Sequence, residues 1–298
     1  MPTRREVLIA GVASLTALIG DSVIAPQAQS KAKEITQPSL SPLPENSAPP
    51  VPYPMPEASE APAELFIPKP PPTPEPTPQP TPELVKFNPS DIVFWGDRTK
   101  PYVYLTIDDC YDKKAVETAL DIAKDLEVKL TFFPIGAEIA KGPASLWKRA
   151  IAEGHAIENH SQNHLWLPDL TDDGIRSQID LQRKTVENIL GQPYKQRFFR
   201  PSGGGGILGG VQPRIPNIAK ELGYEIAMWS DDSSGPKYYP KTDAATINTI
   251  ISNVATYLSK GAIVLQHAIS NDILALPQVI KMAKSRGLEC ITMQKGIS

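Results

Sequence analysis

Two of the chain's four histidines, His160 and His164, stand four residues apart in the run Glu158-Asn159-His160-Ser161-Gln162-Asn163-His164. At helical spacing, residues i and i+4 share a face. Two imidazoles so placed can hold one Zn²⁺-like ion, each through one nitrogen at roughly 2.0–2.1 Å. Two ligands do not make a site, so a carboxylate has to come from elsewhere. The best source is Asp108-Asp109, which follows the apolar run Val103-Tyr104-Leu105-Thr106-Ile107. The plainer reading, two polar residues in a surface turn, is not displaced by a bare HxxxH pattern.

The elements that must position these residues can be read from periodicity. Val103–Ile107 and Leu130–Phe133 are short β-rich runs, and Val116, Ala119, Leu120, Ala123 and Leu126 between them repeat at helical spacing. Leu146, Trp147, Ala150 and Ile151 mark a second helix, and Ala156–Glu158 a brief strand running into His160. Ile175, Ile179, Gln182, Val186, Ile189 and Leu190 mark a long helix closed by Gly191 and Pro193. The alternation continues through strand Phe198-Phe199, a helix ending at Gly223, and strand Glu225–Trp229. A helix over Ile247–Leu258, strand Ala262–Gln266, a helix ending near Gly287 and strand Leu288–Thr292 follow. Alternating strand and helix predict an α/β fold with mainly parallel pairing. Asp108/Asp109, His160/His164, Arg200, Asp231/Asp232 and His267 each follow a different strand. An open sheet gathers its site at one switch point, whereas a barrel gathers it from strand ends all round. Five contributing strands therefore predict a deformed (β/α) barrel of about seven parallel strands.

Composition bounds the rest. The chain has 298 residues, 41% of them apolar, enough for one large domain with a real core, here expected over 92–298. A formal charge of −3 gives no electrostatic case for a nucleic-acid partner. Two cysteines, Cys110 and Cys290, allow one bridge but no disulfide framework; two free thiols are the default. Residues 1–25 read as an address: Arg4-Arg5 leads into the apolar run Val7–Ile19, too short for a span of about 20 residues. Export to the envelope, periplasm or exterior is expected. Whether the segment is cleaved or stays as a membrane tether is open. Of the 32 prolines, 19 fall between Pro38 and Pro89, so 26–91 is expected to be a disordered, extended spacer at roughly 3.1 Å per residue. Gly204–Gly209 fits GxGxxG, but Pro213 and Pro216 interrupt the helix that a dinucleotide site needs. A loop at the rim of the site is the better reading.

From about Tyr102 to Met293 the chain resembles the polysaccharide deacetylases, carbohydrate esterase family 4, with the NodB homology domain. Leu105-Thr106-Ile107-Asp108-Asp109 is similar to the first family motif, and Gly154–His164 to the second, the most specific match. Phe199-Arg200-Pro201-Ser202-Gly203 resembles the third, Trp229-Ser230-Asp231-Asp232 part of the fourth, and Ile263–His267 the fifth. The resemblance implies roles. Asp109, His160 and His164 hold the metal, Zn²⁺ first and Co²⁺ second. Asp108 is the general base, and Arg200 orients it. His267 is the general acid, oriented by Asp232. A backbone N–H near Gly203 belongs to the oxyanion hole. His155 is left over and reads as structural.

The chemistry agrees with this set. An N-acetyl carbonyl is a poor electrophile, which a metal polarises. A carboxylate takes the proton of water, and the amine leaves only when a group such as histidine protonates it. The sequence departs from the family at Cys110, where glycine is usual. The third motif lacks an aromatic, and the fourth lacks its trailing Asp-Trp; Trp166 or Tyr238 are candidates to replace that contact. The expected function is metal-dependent removal of acetyl groups, N-acetyl before O-acetyl, from a peptidoglycan- or chitin-like polysaccharide. The alternatives are an acetyl-xylan-type esterase or small-amide hydrolase, and an inactive glycan-binding module.

Overall fold

The computed structural model describes residues 87–297. The expected signal segment, and all but the end of the Pro-rich segment, lie outside the described residues. The folded region begins before residue 92. Phe87 N–H donates to Asn217 Oδ1 at 2.7 Å, and Asn88 caps a 3₁₀ turn at Pro89–Asp91 with a reciprocal capping box.

Strand and helix alternate as the periodicity predicts. After β1 (Ile92–Val93), β2 (Tyr102–Asp109) leads to α1 (Lys113–Asp125), and β3 (Thr131–Pro134) to α2 (Gly136–Ile139) and α3 (Ala144–Ala152). Next, β4 (Ala156–Ile157) leads to α4 (Asp172–Leu190), and β5 (Phe198–Phe199) to α5 (Arg214–Glu221). β6 (Glu225–Ala227) and β7 (Asp231–Asp232) lead to α6 (Gly235–Tyr238) and α7 (Ala244–Tyr257). β8 (Ile263–His267), α8 (Ser270–Ser285), β9 (Glu289–Cys290) and α9 (Met293–Gly296) complete the order.

The strands form two parallel sheets, β1-β6-β5 and β4-β3-β2-β8-β7, with β9 added beside the start of β2. They are linked where Asn159, just past β4, bridges in parallel to Phe199 in β5. The sequence between β6 and β7 is three residues long, so one run of chain passes from the first sheet to the second. β2 is buried from Val103 to Asp108, as expected of a strand covered on both faces. Helix α1 turns Val116, Ala119, Leu120 and Ala123 into the core, and Asp112 accepts from Lys114 N and Ala115 N at its start. Such a cap contributes about 1 kcal/mol. Thr171 caps α4 in the same way, and Gly191 ends it in the left-handed conformation at φ 74, the role the sequence assigns to that glycine. Cys110 and Cys290 are both free and buried. No helix among the described residues is long and apolar enough to cross a membrane.

Two buried carboxylates carry stability consequences. Glu158 accepts from Arg197 N at 2.9 Å and Phe198 N at 2.8 Å, satisfying strand β5 where its neighbour β4 has ended. Asp231, 2% exposed, has no hydrogen-bond partner on either oxygen. Burial raises its pKa from 3.8 to about 8. Between those values the folded chain keeps a proton that the unfolded chain has released. The associated stability is complete below the ordinary carboxylate pKa and is lost as pH rises through about 8. Asp231→Asn has no such proton to lose. It should gain on the wild type as pH rises from about 4 to about 8, by up to about 1.4 kcal/mol per pH unit. Denaturant titrations with equal pH slopes for the two proteins would contradict a protonated Asp231.

Candidate active site

Parallel register brings two of the expected residues together directly. Asp108 in β2 and His267 in β8 are paired Cα positions at the carboxyl ends of adjacent strands. From β5, the chain runs straight into Arg200, whose side chain has no solvent exposure. Arg200 Nη1 donates to Asp108 Oδ1 at 2.6 Å and to Thr106 Oγ1 at 2.8 Å. Nε and Nη2 donate to the carbonyls of Ala227 (3.1 Å) and Met228 (3.2 Å), and the guanidinium stacks 4.0 Å from the Phe133 ring centroid. A buried cation is tolerable when it is paired and its donors are used, and both conditions hold here.

Beside this pair, one nitrogen each of His160 and His164 and one oxygen of Asp109 all lie within 4.8 Å of one another. Asp109 Oδ1 is 3.3 Å from His160 Nε2 and 3.4 Å from His164 Nε2, and it is buried without a hydrogen-bond partner. His160 Nδ1 lies 2.8 Å from the Arg200 carbonyl. As the donor to that carbonyl, Nδ1 carries the proton and leaves the Nε2 lone pair facing Asp109. An orphaned carboxylate oxygen facing two imidazole nitrogens fits a divalent ion, and a His₂Asp donor set suits Zn²⁺.

The histidines do not converge by helical geometry. Residues 158–164 are a loop in which Ser161 (φ 68) and His164 (φ 56) are left-handed. Ser161 N donates to Asn159 Oδ1 and His164 N to Ser161 Oγ, so short polar side chains take up the backbone donors that a helix would have used. Asp109 (φ 64) and Cys110 (φ 62) are left-handed as well. This conformation accounts for the glycine usual after the aspartates. The Cys110 thiol points into the core, 3.8 Å from the Ile107 carbonyl, away from the three-ligand cluster. His155 Nδ1 accepts from Leu130 N at 3.0 Å, the structural use expected of it.

The glycine loop at 203–206 carries no long helix at its start; α5 opens at Arg214, beyond Pro213. Gly203 is left-handed at φ 59, and a Cβ placed there would stand 3.3 Å from the Trp166 ring. At Gly205 it would stand 2.9 Å from the same ring. The half-exposed Trp166 therefore lies over the third motif, where the sequence lacks an aromatic.

Asp232 is not brought into contact with His267. It lies at the surface, and its Oδ1 accepts from Ser234 N at 2.6 Å. The carboxylate against His267 is Asp272 of α8, which accepts from His267 N–H at 2.8 Å and lies 3.6 Å from Nδ1. Sequence reading missed it. The available signal was an acidic residue five positions after the histidine, at the start of a helix, where acids are common for another reason.

A family model described as polysaccharide deacetylase matches residues 96–227. A peptidoglycan-N-acetylglucosamine deacetylase of Bacillus cereus is 30% identical over 205 residues, covering 67% of this chain and 70% of the relative. Among solved structures, a peptidoglycan N-acetylglucosamine deacetylase bound to 4-naphthalen-1-yl-N-oxidanyl-benzamide matches with a TM-score of 0.62 and 28% identity, over 70% of this chain and 92% of that one. A family 4 carbohydrate esterase pseudoenzyme from Bacillus anthracis matches with a TM-score of 0.60 and 25% identity, over 69% and 68%. With strand ends, site and similarity in agreement, the chain belongs to the polysaccharide deacetylase family, carbohydrate esterase family 4.

The cluster predicts its own metal dependence. His160→Ala should lose stoichiometric Zn²⁺, measured by elemental analysis of folded protein. Cys110→Gly should keep Zn²⁺ affinity within a few-fold, because its thiol faces the core. Full zinc content in the histidine variant would remove His160 from the ligand set. A hundredfold loss of affinity in the cysteine variant would add a thiolate to it.

Proposed function

We propose that this polysaccharide deacetylase is a metal-dependent enzyme that removes N-acetyl groups from a cell-wall glycan, with peptidoglycan the first candidate and chitin-like polymers the second. The observation that carries this reading is the pairing of Asp108 with His267 on adjacent strand ends beside Asp109, His160 and His164. The named relatives, peptidoglycan-N-acetylglucosamine deacetylases, support the choice of glycan.

When held by Asp109, His160 and His164, a divalent ion, Zn²⁺ or Co²⁺, supplies Lewis acidity for the acetyl carbonyl and lowers the pKa of water. The chain supplies the proton carriers. Asp108, fixed by Arg200, accepts the proton of the attacking water. The water oxygen bonds to the acetyl carbon, the C–N bond breaks, and His267 gives its proton to the departing amine. The products are acetate and a free amino sugar. Burial alone would lower the His267 pKa, but the carboxylates of Asp272, Asp108 and Asp109 outweigh it and raise the pKa above its ordinary value. That direction suits a general acid. The left-handed Gly203 is proposed to offer a backbone donor to the oxyanion, with Trp166 above it as the aromatic wall of the sugar site.

The finer fold description is part of the same proposal: a deformed (β/α) barrel of seven strands, β2 to β8. Support comes from the Asn159–Phe199 bridge and from the short passage of chain between β6 and β7. So is the cellular setting: segment 1–25 exports the chain or tethers it to a membrane, and the Pro-rich segment from residue 26 up to the folded region, which begins at Phe87, holds the catalytic domain away from that membrane.

The test is acetate release by the zinc-loaded chain from peptidoglycan, N-acetyl chitin oligomers and acetyl-xylan. Release from the first or second, abolished by chelator, is expected. Asp108→Asn should keep its zinc and lose about 10²–10⁴ in rate. Release from acetyl-xylan alone would make the enzyme an esterase. No release from any of the three would support a glycan-binding module.

Trp166→Ala should raise KM for oligosaccharides by roughly 3–10-fold, the worth of one aromatic contact, and leave hydrolysis of a small aryl acetate unchanged. An equal effect on both substrates would place Trp166 outside sugar binding.

A further inference from the structure

We propose that Asp272 is the positioning residue of His267, taking the part that the family resemblance gives to Asp232. The inference rests on the deacetylase reading above. Asp272 is completely buried at the start of α8. One oxygen, Oδ2, accepts from the His267 backbone N–H at 2.8 Å and stands 3.6 Å from His267 Nδ1. That distance is too long for a hydrogen bond and short enough for a strong charge interaction. Nδ1 of His267 and Oδ1 of Asp272 are both buried without a hydrogen-bond partner. His267 Nδ1 is thus a buried nitrogen without a partner, and the carboxylate of Asp272 stands beside it through Oδ2.

The surroundings leave this carboxylate little choice of partner. A Cβ at Gly235 would stand 2.3–2.4 Å from its atoms, so the backbone of α6 closes directly over it. Asn271 Nδ2 ties α8 to α6 through the Gly235 carbonyl at 2.9 Å, and Gln266 Nε2 reaches the Asp272 carbonyl at 3.4 Å. Among the described residues, His267 is the one basic side chain within ion-pair distance of Asp272. A buried carboxylate without a cation is costly, so the pair orients Nδ1–H towards Asp272 and leaves Nε2 for the departing amine. The other charged groups around His267 are Asp108 and Asp109 from β2 and Asp232 from β7. Asp108 is engaged by Arg200, Asp109 faces the two ligand histidines, and Asp232 is turned to Ser234 N. The missing tail of the fourth motif fits this exchange: Ser233-Ser234-Gly235 brings a glycine over Asp272 where a larger residue would collide with it.

The experiment separates positioning from bulk structure. Zinc-loaded Asp272→Asn and wild type are compared on an N-acetyl chitin oligomer, whose amine must be protonated to leave, and on p-nitrophenyl acetate, whose leaving group needs no acid. The variant should lose about 10²-fold or more in kcat on the amide and stay within threefold on the ester. The basic limb of its amide profile should move to lower pH, because a general acid is lost as pH rises through its pKa. Nitrogen-15 histidine spectra of the zinc-loaded wild type should show the neutral His267 ring protonated at Nδ1. The spectra do not depend on turnover: a wild type that cleaves neither substrate but shows this tautomer fails the deacetylase reading and supports the pairing, while an Nε2-protonated ring overturns the pairing whatever the activity. Equal losses on amide and ester with an unmoved basic limb would also overturn it. So would the reverse pattern, in which Asp232→Asn moves the limb and Asp272→Asn does not.

Discussion

The arrangement depends on one buried cation. Arg200 leaves β5 and sends its guanidinium, with no exposure, to Asp108 and Thr106 of β2 and to the carbonyls of Ala227 and Met228 at the end of β6. One side chain thus fastens the two sheets together at the level of the site. Its own carbonyl receives His160 Nδ1. The same residue therefore fixes the proposed proton acceptor through its side chain and the proposed metal ligand through its backbone. Removing it would strand a buried carboxylate and two carbonyls, a loss of the kind that costs about 3–5 kcal/mol. Asp108 and the ligand cluster are not independent features that happen to be near each other.

Around that cation, the backbone is bent to bring short side chains inward. Asp109, Cys110, Ser161 and His164 all take left-handed conformations, each unusual for a residue other than glycine. Such residues persist where the surroundings over-determine them and cluster at functional sites. Here they lie at the end of β2 and in the loop after the Asn159 bridge, and they turn Asp109, His160 and His164 towards one point. The strands themselves are held by ordinary means: apolar runs covered on both faces, with capped amphipathic helices outside.

Much of this was legible in the sequence. The buried run Val103–Ile107 and the helical spacing of Val116, Ala119, Leu120 and Ala123 announce β2 and α1, because periodicity reports which face is buried. Gly191 announces the end of α4. Placing polar residues just after strands was enough to gather Asp108, Asp109, His160, His164, Arg200 and His267. Other features were hidden for physical reasons. The four-residue spacing of the histidines suggests a helix, yet left-handed turns achieve the convergence, and φ is not written in a spacing. Asp231 and Asp232 look like a matched pair, but the strand pleat sends one inward and leaves the other at the surface. Asp272 looks like a first-turn helix acid and reaches His267 through tertiary packing alone.

Asp109, His160 and His164 are proposed to form one metal centre beside the Arg200–Asp108 pair, with Cys110 outside it. X-ray absorption at the zinc edge of the loaded chain tests this most directly. A shell of nitrogen and oxygen at about 2.0–2.1 Å is expected, with the outer-shell scattering of two imidazoles and no sulfur. A sulfur shell near 2.3 Å, or fewer than two imidazoles, would contradict it.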